Sequence, residues 1–305
     1  MSVQGMSGFA LEVPDVAQAV RFYEDAGLEV SASGILTRLR CPGQDRDAIT
    51  LVQGPRKRLH HVALRAGNLD ELARRVPLSG GRAVAAPAPF DNDGLWIEDP
   101  HGMLLHLVEQ PLEISLPAQE CFSINQPGNI GRINRAAIKP VSQSTPGTPL
   151  RLGHVLVFTP NTMKSVEFVT EALGMGLADH AQDVIAFCCA RSNSDHHVLA
   201  FAKSSGVGFH HGSFLVRDPD EVGRAGRRLL EKTGKGDWGF GRHTVGSNFF
   251  HYVRDPWGSW FEYYADMDFI EDYSMWTPTN YAMEDSLANW GPPVPDDFVQ
   301  NYELM

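Results

Sequence analysis

Apolar and polar residues alternate through short stretches of this chain, then give way to spacings of three and four, and the same change of rhythm returns later. GFALEV (8–13) alternates as a half-buried strand does, Pro14 and Asp15 break it, and Val16, Val20 and Tyr23 fall on one helical face. GHVLVFTPNTMKSVEFVTEALGMGL (153–177) repeats that order, with a break at Pro160 and a helix face of Val166, Val169 and Leu173. LHHVALRAGNLDELARRV (59–76) and FHHGSFLVRDPDEVGRAGRRL (209–229) form a second pair, each a strand passing through a polar turn into a helix. LWIEDPHGMLLHLVEQ (95–110) and FHYVRDPWGSWFEYYAD (250–266) form a third, in which Asp-Pro-x-Gly turns one strand into the next.

One strand-helix-strand unit with further strands is therefore used twice, which predicts an α+β protein of two tandem domains. A chain of 305 residues suits two cores better than one. Residues 111–150 carry Pro111, Pro117, Pro127, Pro140, Pro146 and Pro149 among scattered Gly and Ser, the composition of a connector. The expected division is a first domain over 1–112, a connector over 113–150, a second domain over 151–268, and an extension over 269–305. The extension holds Trp276, Tyr281 and Trp290, too apolar for a free tail, and is expected to pack on the second domain.

Charge narrows the partners. With 26 basic against 37 acidic residues and a net charge of -11, the chain lacks the basic footprint that phosphate backbones require, so no nucleic acid is expected. Arg56, Lys57 and Arg58 read as a solvated turn. No apolar stretch is long enough to span a bilayer and no signal-like start precedes Glu12, so no membrane is expected. Four cysteines in so long a chain, two of them adjacent, favour a reducing cytoplasm over a disulfide scaffold.

Superimposing the repeats shows where chemistry diverges. Aligning Gly8 with Gly153 sets His154 against Phe9, while His211 falls against His61 and Glu262 against His106, so only the second copy offers two histidines and a carboxylate. Such a set on one face of an ion leaves adjacent positions open, as a ferrous oxygenase needs. Three strands can aim three side chains at one point without reorganisation. His154, His211 and Glu262 are therefore the expected metal ligands.

At these residues the sequence resembles the type I extradiol dioxygenases of the vicinal oxygen chelate superfamily, from Gly8 to about residue 266 and most strongly in the second half, and the resemblance implies that each tandem domain is built of paired βαβββ modules. Family ligands map onto His154 in Leu-Gly-His-Val, His211 in Phe-His-His-Gly-Ser-Phe and Glu262 in Trp-Phe-Glu-Tyr-Tyr, and the first half resembles the family's metal-free copy. The resemblance implies His197 (in Ser194-Asp195-His196-His197) as pocket acid/base, with Tyr252 bonding a substrate hydroxyl and His243 stabilising its proton. An imidazole suits proton transfer because its pKa lies near neutrality. Also implied are Fe(II), with Mn(II) accepting the same donors, an aromatic diol and O2 as partners, a ring-opened product, and homo-oligomeric assembly. Two other readings stand beside it: a metal-dependent isomerase, lyase or glutathione transferase of the same superfamily, and a resistance protein that sequesters a ligand.

Other features read as structural. His60, His61, His106, His196 and His251 are expected to be hydrogen-bonded framework residues. Gly234-x-Gly236-x-x-Gly239 matches a dinucleotide fingerprint in form only, because it follows a helix instead of opening one. Cys188 and Cys189 belong to a buried strand from Val184 to Ala190 as small hydrophobes, and Met163 and Met175 read as helix packing.

Overall fold

In a computed structural model, residues 2–111, 124–145 and 147–305 are described. The expected pairing of modules is present. The first half runs β1 (Val3–Val13), α1 (Val16–Asp25), β2 (Glu29–Ala32), β3 (Leu36–Arg40), β4 (Asp47–Gln53), then β5 (Arg58–Ala66), α2 (Leu69–Arg75), β6 (Arg82–Ala83), β7 (Leu95–Glu98) and β8 (Leu104–Val108). The second runs β9 (Arg151–Thr159), α3 (Thr162–Glu171), β10 (Gly176–Ala181), β11 (Ile185–Cys189), β12 (Ser192–Asp195), β13 (Leu199–Lys203), then β14 (Gly208–Leu215), α4 (Pro219–Thr233), β15 (Asp237–Arg242), β16 (Phe249–Arg254) and β17 (Trp260–Ala265). After these come β18 (Phe269–Asp272) and the short α5 (Met283–Ser286).

Each half makes one eight-stranded sheet, in the orders β2-β3-β4-β1-β5-β8-β7-β6 and β10-β11-β13-β9-β14-β17-β16-β15. The two modules of a half meet where β1 runs antiparallel to β5, and β9 to β14. Helices begin where an Asx side chain takes up an amide that the first turn leaves unpaired: Asp15, Asn68, Asn161 and Asp218 accept from Gln18, Glu71, Lys164 and Glu221. The halves share packing. Phe22 and Tyr23 of α1 meet Phe261 of β17, and the Tyr263 hydroxyl donates to the Ala26 carbonyl at 2.7 Å.

Strand pairing corrects the alignment of the first repeat. Gly8 stands opposite Ala63 as His154 stands opposite Ser213, and Ala10 opposite His61 as Leu156 opposite His211. The counterpart of His154 is thus Gly8, not Phe9. A slip of one residue exchanges the faces of a strand, and Phe9 lies buried, stacked on Phe209 with ring centroids 4.8 Å apart.

Lys57 also departs from expectation. Arg56 and Arg58 are exposed, but Lys57 is buried beside Ser259 and pairs with Glu303 of the extension at 3.3 Å. Its side chain lies over the Phe209 ring, so apolar packing and a carboxylate replace water.

Of the connector, 124–145 is largely exposed and contains a short 3-10 turn at Val141–Gln143. Pro117, Cys121 and Pro146 lie outside the described residues. Within the extension, Trp276 Nε1 donates to the Ala178 carbonyl at 2.8 Å, and β18 pairs with β12. Cys188 and Cys189 are buried in β11, and Met175 is buried at the end of α3, whereas Met163 is 37% exposed and belongs to the outer helix face. Gly234 closes α4 in the left-handed conformation, which removes it from any helix N-terminus.

Candidate metal centre

Three neighbouring strands present the candidate ligands. His154 is on β9, His211 on β14 and Glu262 on β17, and β9-β14-β17 are adjacent in the sheet. The His154 Nε2 atom lies 3.1 Å, and the His211 Nε2 atom 3.4 Å, from Glu262 Oε2. These separations approach the roughly 3 Å between adjacent corners of an octahedron with bonds of about 2.1 Å. Among the described residues this trio is the only group of three or more His, Cys, Asp or Glu residues whose ligand atoms converge in this way.

All three are buried, Glu262 completely. Among the described residues the buried His211 Nε2 and Glu262 Oε2 atoms have no hydrogen-bond partner. Orphaned polar atoms are costly in a core, and a cation between them would supply what both lack. Burial acts to raise the Glu262 pKa, but the facing His154, His243 and His211 side chains outweigh it and keep the carboxyl well below its usual range. Burial, followed by the neighbouring His210, holds His211 well below the ordinary histidine value. An anionic carboxylate and a neutral imidazole are the forms that bind a metal.

The sequence-derived trio and the three residues carried over by resemblance line one pocket. His197 packs on His154 with ring centroids 4.2 Å apart, and His243 Nε2 lies 2.9 Å from the Tyr252 hydroxyl and 3.6 Å from Glu262 Oε1. Burial raises the Tyr252 pKa well above 10, with the Glu262 charge adding to it, so its hydroxyl stays a donor. The His243 Nδ1 atom donates to the Leu287 carbonyl, which leaves Nε2 to accept from Tyr252. The far wall is Leu156, Ile185, Phe187 and Val245, and the roof comes from the extension: Ser286, Leu287 and Phe298.

His60, His61, His106, His196 and His251 all have framework contacts. His60 meets His61 at 2.8 Å, His106 reaches the Asp93 carbonyl, His196 reaches Asp179 and His251 reaches Asp237. Sequence reasoning missed two supporting residues. Asn248 Nδ2 donates to Glu262 Oε1 at 3.4 Å. His210 contacts His211, Nδ1 to Nδ1 at 2.7 Å, and donates from Nε2 to the Phe298 carbonyl at 2.8 Å. The paired histidines at 60–61, 196–197 and 210–211 were the available signal; each pair meets through its Nδ1 atoms.

Paired βαβββ modules that converge two histidines and a glutamate define a class of metal-dependent enzymes built for vicinal oxygen ligands. The Glyoxalase/Bleomycin resistance protein/Dioxygenase superfamily model matches residues 151–263. Metapyrocatechase 2 of Cupriavidus necator is 37% identical over 305 residues, 99% of this chain and 93% of that protein. The chain therefore belongs to the extradiol ring-cleaving dioxygenases of that superfamily. The fold is shared with 2,2',3-trihydroxybiphenyl 1,2-dioxygenase from dibenzofuran-degrading Sphingomonas wittichii strain RW1, at a TM-score of 0.73 and 22% identity over 96% of this chain and 100% of that one. It is equally shared with the Mn(II)-bound glyoxalase from Novosphingobium aromaticivorans, at a TM-score of 0.71 and 22% identity over 100% and 99%.

Proposed function

We propose that this chain holds one Fe(II) through His154, His211 and Glu262 and cleaves the ring of an uncharged catechol-type diol next to its vicinal hydroxyls, both atoms of O2 entering the product. The observation that carries this reading is the convergence of three buried donor atoms, two of them without a partner among the described residues. Bound there, the metal would lower the pKa of a diol hydroxyl and hold both reactants at one centre.

The remaining work falls to side chains. On binding substrate Tyr252 turns its one hydroxyl hydrogen from His243 Nε2 to a substrate oxygen, which leaves His243, fixed by the Leu287 carbonyl, with a free Nε2 to accept the diol proton. His197 moves a proton between substrate oxygens, since burial, then His154 and His196, keep it neutral and able to accept one. Leu156, Ile185, Phe187, Val245, Leu287 and Phe298 exclude water and suit an apolar ring. Among the described residues no Lys or Arg lines this pocket, so a carboxylated diol finds no counter-ion from them there.

Mn(II) suits the same donors and is the second metal reading. An isomerase, lyase, transferase or sequestering protein has no evident use for the combination of His197, His243 and Tyr252. A cytoplasmic setting belongs to the same proposal, supported by free, buried Cys41, Cys188 and Cys189; homo-oligomeric assembly follows from the family resemblance alone. The test is anaerobic reconstitution with Fe(II) or Mn(II), then a panel of catechols followed by oxygen uptake and product spectra. Stoichiometric uptake with a ring-opened product is expected; uptake without ring opening, or none with any diol, overturns the reading.

A further inference from the structure

The two histidine pairs around the pocket are wired alike. In the first, His210 gives its Nε2 hydrogen to the Phe298 carbonyl, so its Nδ1 accepts from His211 Nδ1 and His211 Nε2 is left with a lone pair facing Glu262. In the second, His196 Nδ1 lies 3.0 Å from His197 Nδ1, and His196 Nε2 lies 2.8 Å from Asp179 Oδ2. A side-chain carboxylate here takes the place of the backbone carbonyl. Asp179 is buried, and its other oxygen accepts the Thr279 amide at 2.6 Å, so both oxygens act as acceptors.

This arrangement determines where the hydrogens sit. His196 must carry one on Nε2, its Nδ1 then offers a lone pair, and His197 donates to it from Nδ1. The Nε2 atom of His197 is thereby left as the free nitrogen of a side chain that lines the pocket against His154. The His196 ring has no slack, being completely buried and edge-on to Trp276, with its amide donating to the Asp268 carbonyl at 2.7 Å.

We infer that Asp179 is a positioning residue which, acting through His196, holds His197 in the tautomer whose Nε2 accepts a proton from substrate. The inference rests on the proposed function for its kinetic consequence but not for the tautomer itself. Asp179→Asn supplies only one accepting oxygen. With that oxygen engaged by the Thr279 amide, the new NH2 group faces His196 Nε2, which must then accept, and both rings change tautomer. A similar loss of tautomer control lowers turnover by about 10⁴ when the aspartate of a serine-protease triad is replaced.

Fe(II)-loaded Asp179→Asn is expected to lose roughly 100- to 1000-fold in kcat with KM for the diol within about threefold and metal content unchanged. In the double variant with His197→Ala, kcat should be no lower than in His197→Ala alone, because both changes remove one function. A purely structural Asp179 would instead add its loss to that of His197→Ala. Independently of activity, 15N spectra of metal-free wild type, assigned against His197→Gln, should show His197 protonated at Nδ1, and Asp179→Asn should move the hydrogen to Nε2. Wild-type His197 protonated at Nε2, additive kinetic losses, or kcat of Asp179→Asn within about twofold of wild type would each overturn the inference. If Asp179→Asn does not fold, the wild-type spectrum decides. If wild type opens no diol, the proposed function fails while the spectrum still judges the tautomer.

Discussion

Glu262 has one oxygen bonded to Asn248 and the other aimed at two imidazoles, with no water-exposed surface. Replacing it by Gln keeps the shape and removes the charge, so Glu262→Gln is expected to weaken divalent-metal binding by more than about 100-fold, measurable by Co(II) titration. The buried histidines make a separate prediction about acid. Burial pushes His210 down to about 3, the Phe298 carbonyl only partly opposing it. Between the unfolded value of about 6.5 and that folded value, the unfolded chain holds a proton that the folded one refuses. Stability is therefore full above the unfolded pKa and falls as pH drops toward the folded one, by up to about 1.4 kcal/mol per unit for this histidine. His197 and His211 act in the same sense. Urea unfolding of metal-free protein from about pH 7.5 to 4.5 should show the decline, and His210→Gln should flatten it; an unchanged slope would contradict the assignment. At this scale the repeat made legible the three side chains that converge, His154, His211 and Glu262. His210 and Asn248 were not, because their roles depend on partners across the fold.

Helix α4 lies on β16, and its glycines differ by what a methyl group would meet. A Cβ at Gly226 would fall 2.1 Å from the His251 ring, whereas at Gly223 its nearest neighbour is Phe240 at 4.0 Å. Alanine gains about 1 kcal/mol in helix propensity at either position, but overpacking costs about 1 to 3 kcal/mol where there is no room. Thermal denaturation should therefore show Gly223→Ala more stable than wild type and Gly226→Ala less stable. The larger elements were readable because alternation and three-four spacing report buried faces. The register of β1 was not read correctly: matching Gly8 to Gly153 slipped the strand, whereas matching Pro14-Asp15 to Pro160-Asn161, the helix start, gives the pairing observed. Short strands such as β6 and β12 carry too few residues to show a period.

Glu303 ties the molecule together. Its Oε1 atom accepts from the Leu59 amide at 2.9 Å and Lys57 at 3.3 Å in the first half, and from the Phe209 amide at 3.0 Å in the second. Glu303→Gln removes the ion-pair partner of the buried Lys57 and leaves it only the more remote charge of Asp255, and losing one member of a buried pair costs up to about 3 to 5 kcal/mol. Hydrogen exchange should quicken across 296–304 and in β14, and Lys57→Met combined with Glu303→Gln should recover part of the loss; exchange unchanged in the single variant would argue against the clamp. Composition announced that the extension packs, but not that Leu287 and Phe298 roof the pocket, since nothing local in the sequence encodes a contact between strands and a distant loop.

The roof over the pocket and the amide that holds Asp179 both come from residues the ribosome adds after the last ligand strand. During synthesis the two sheets can gather His154, His211 and Glu262 while that side still stands open to solvent. Donor side chains gathered before that side closes would give an arriving ion its freest path inward.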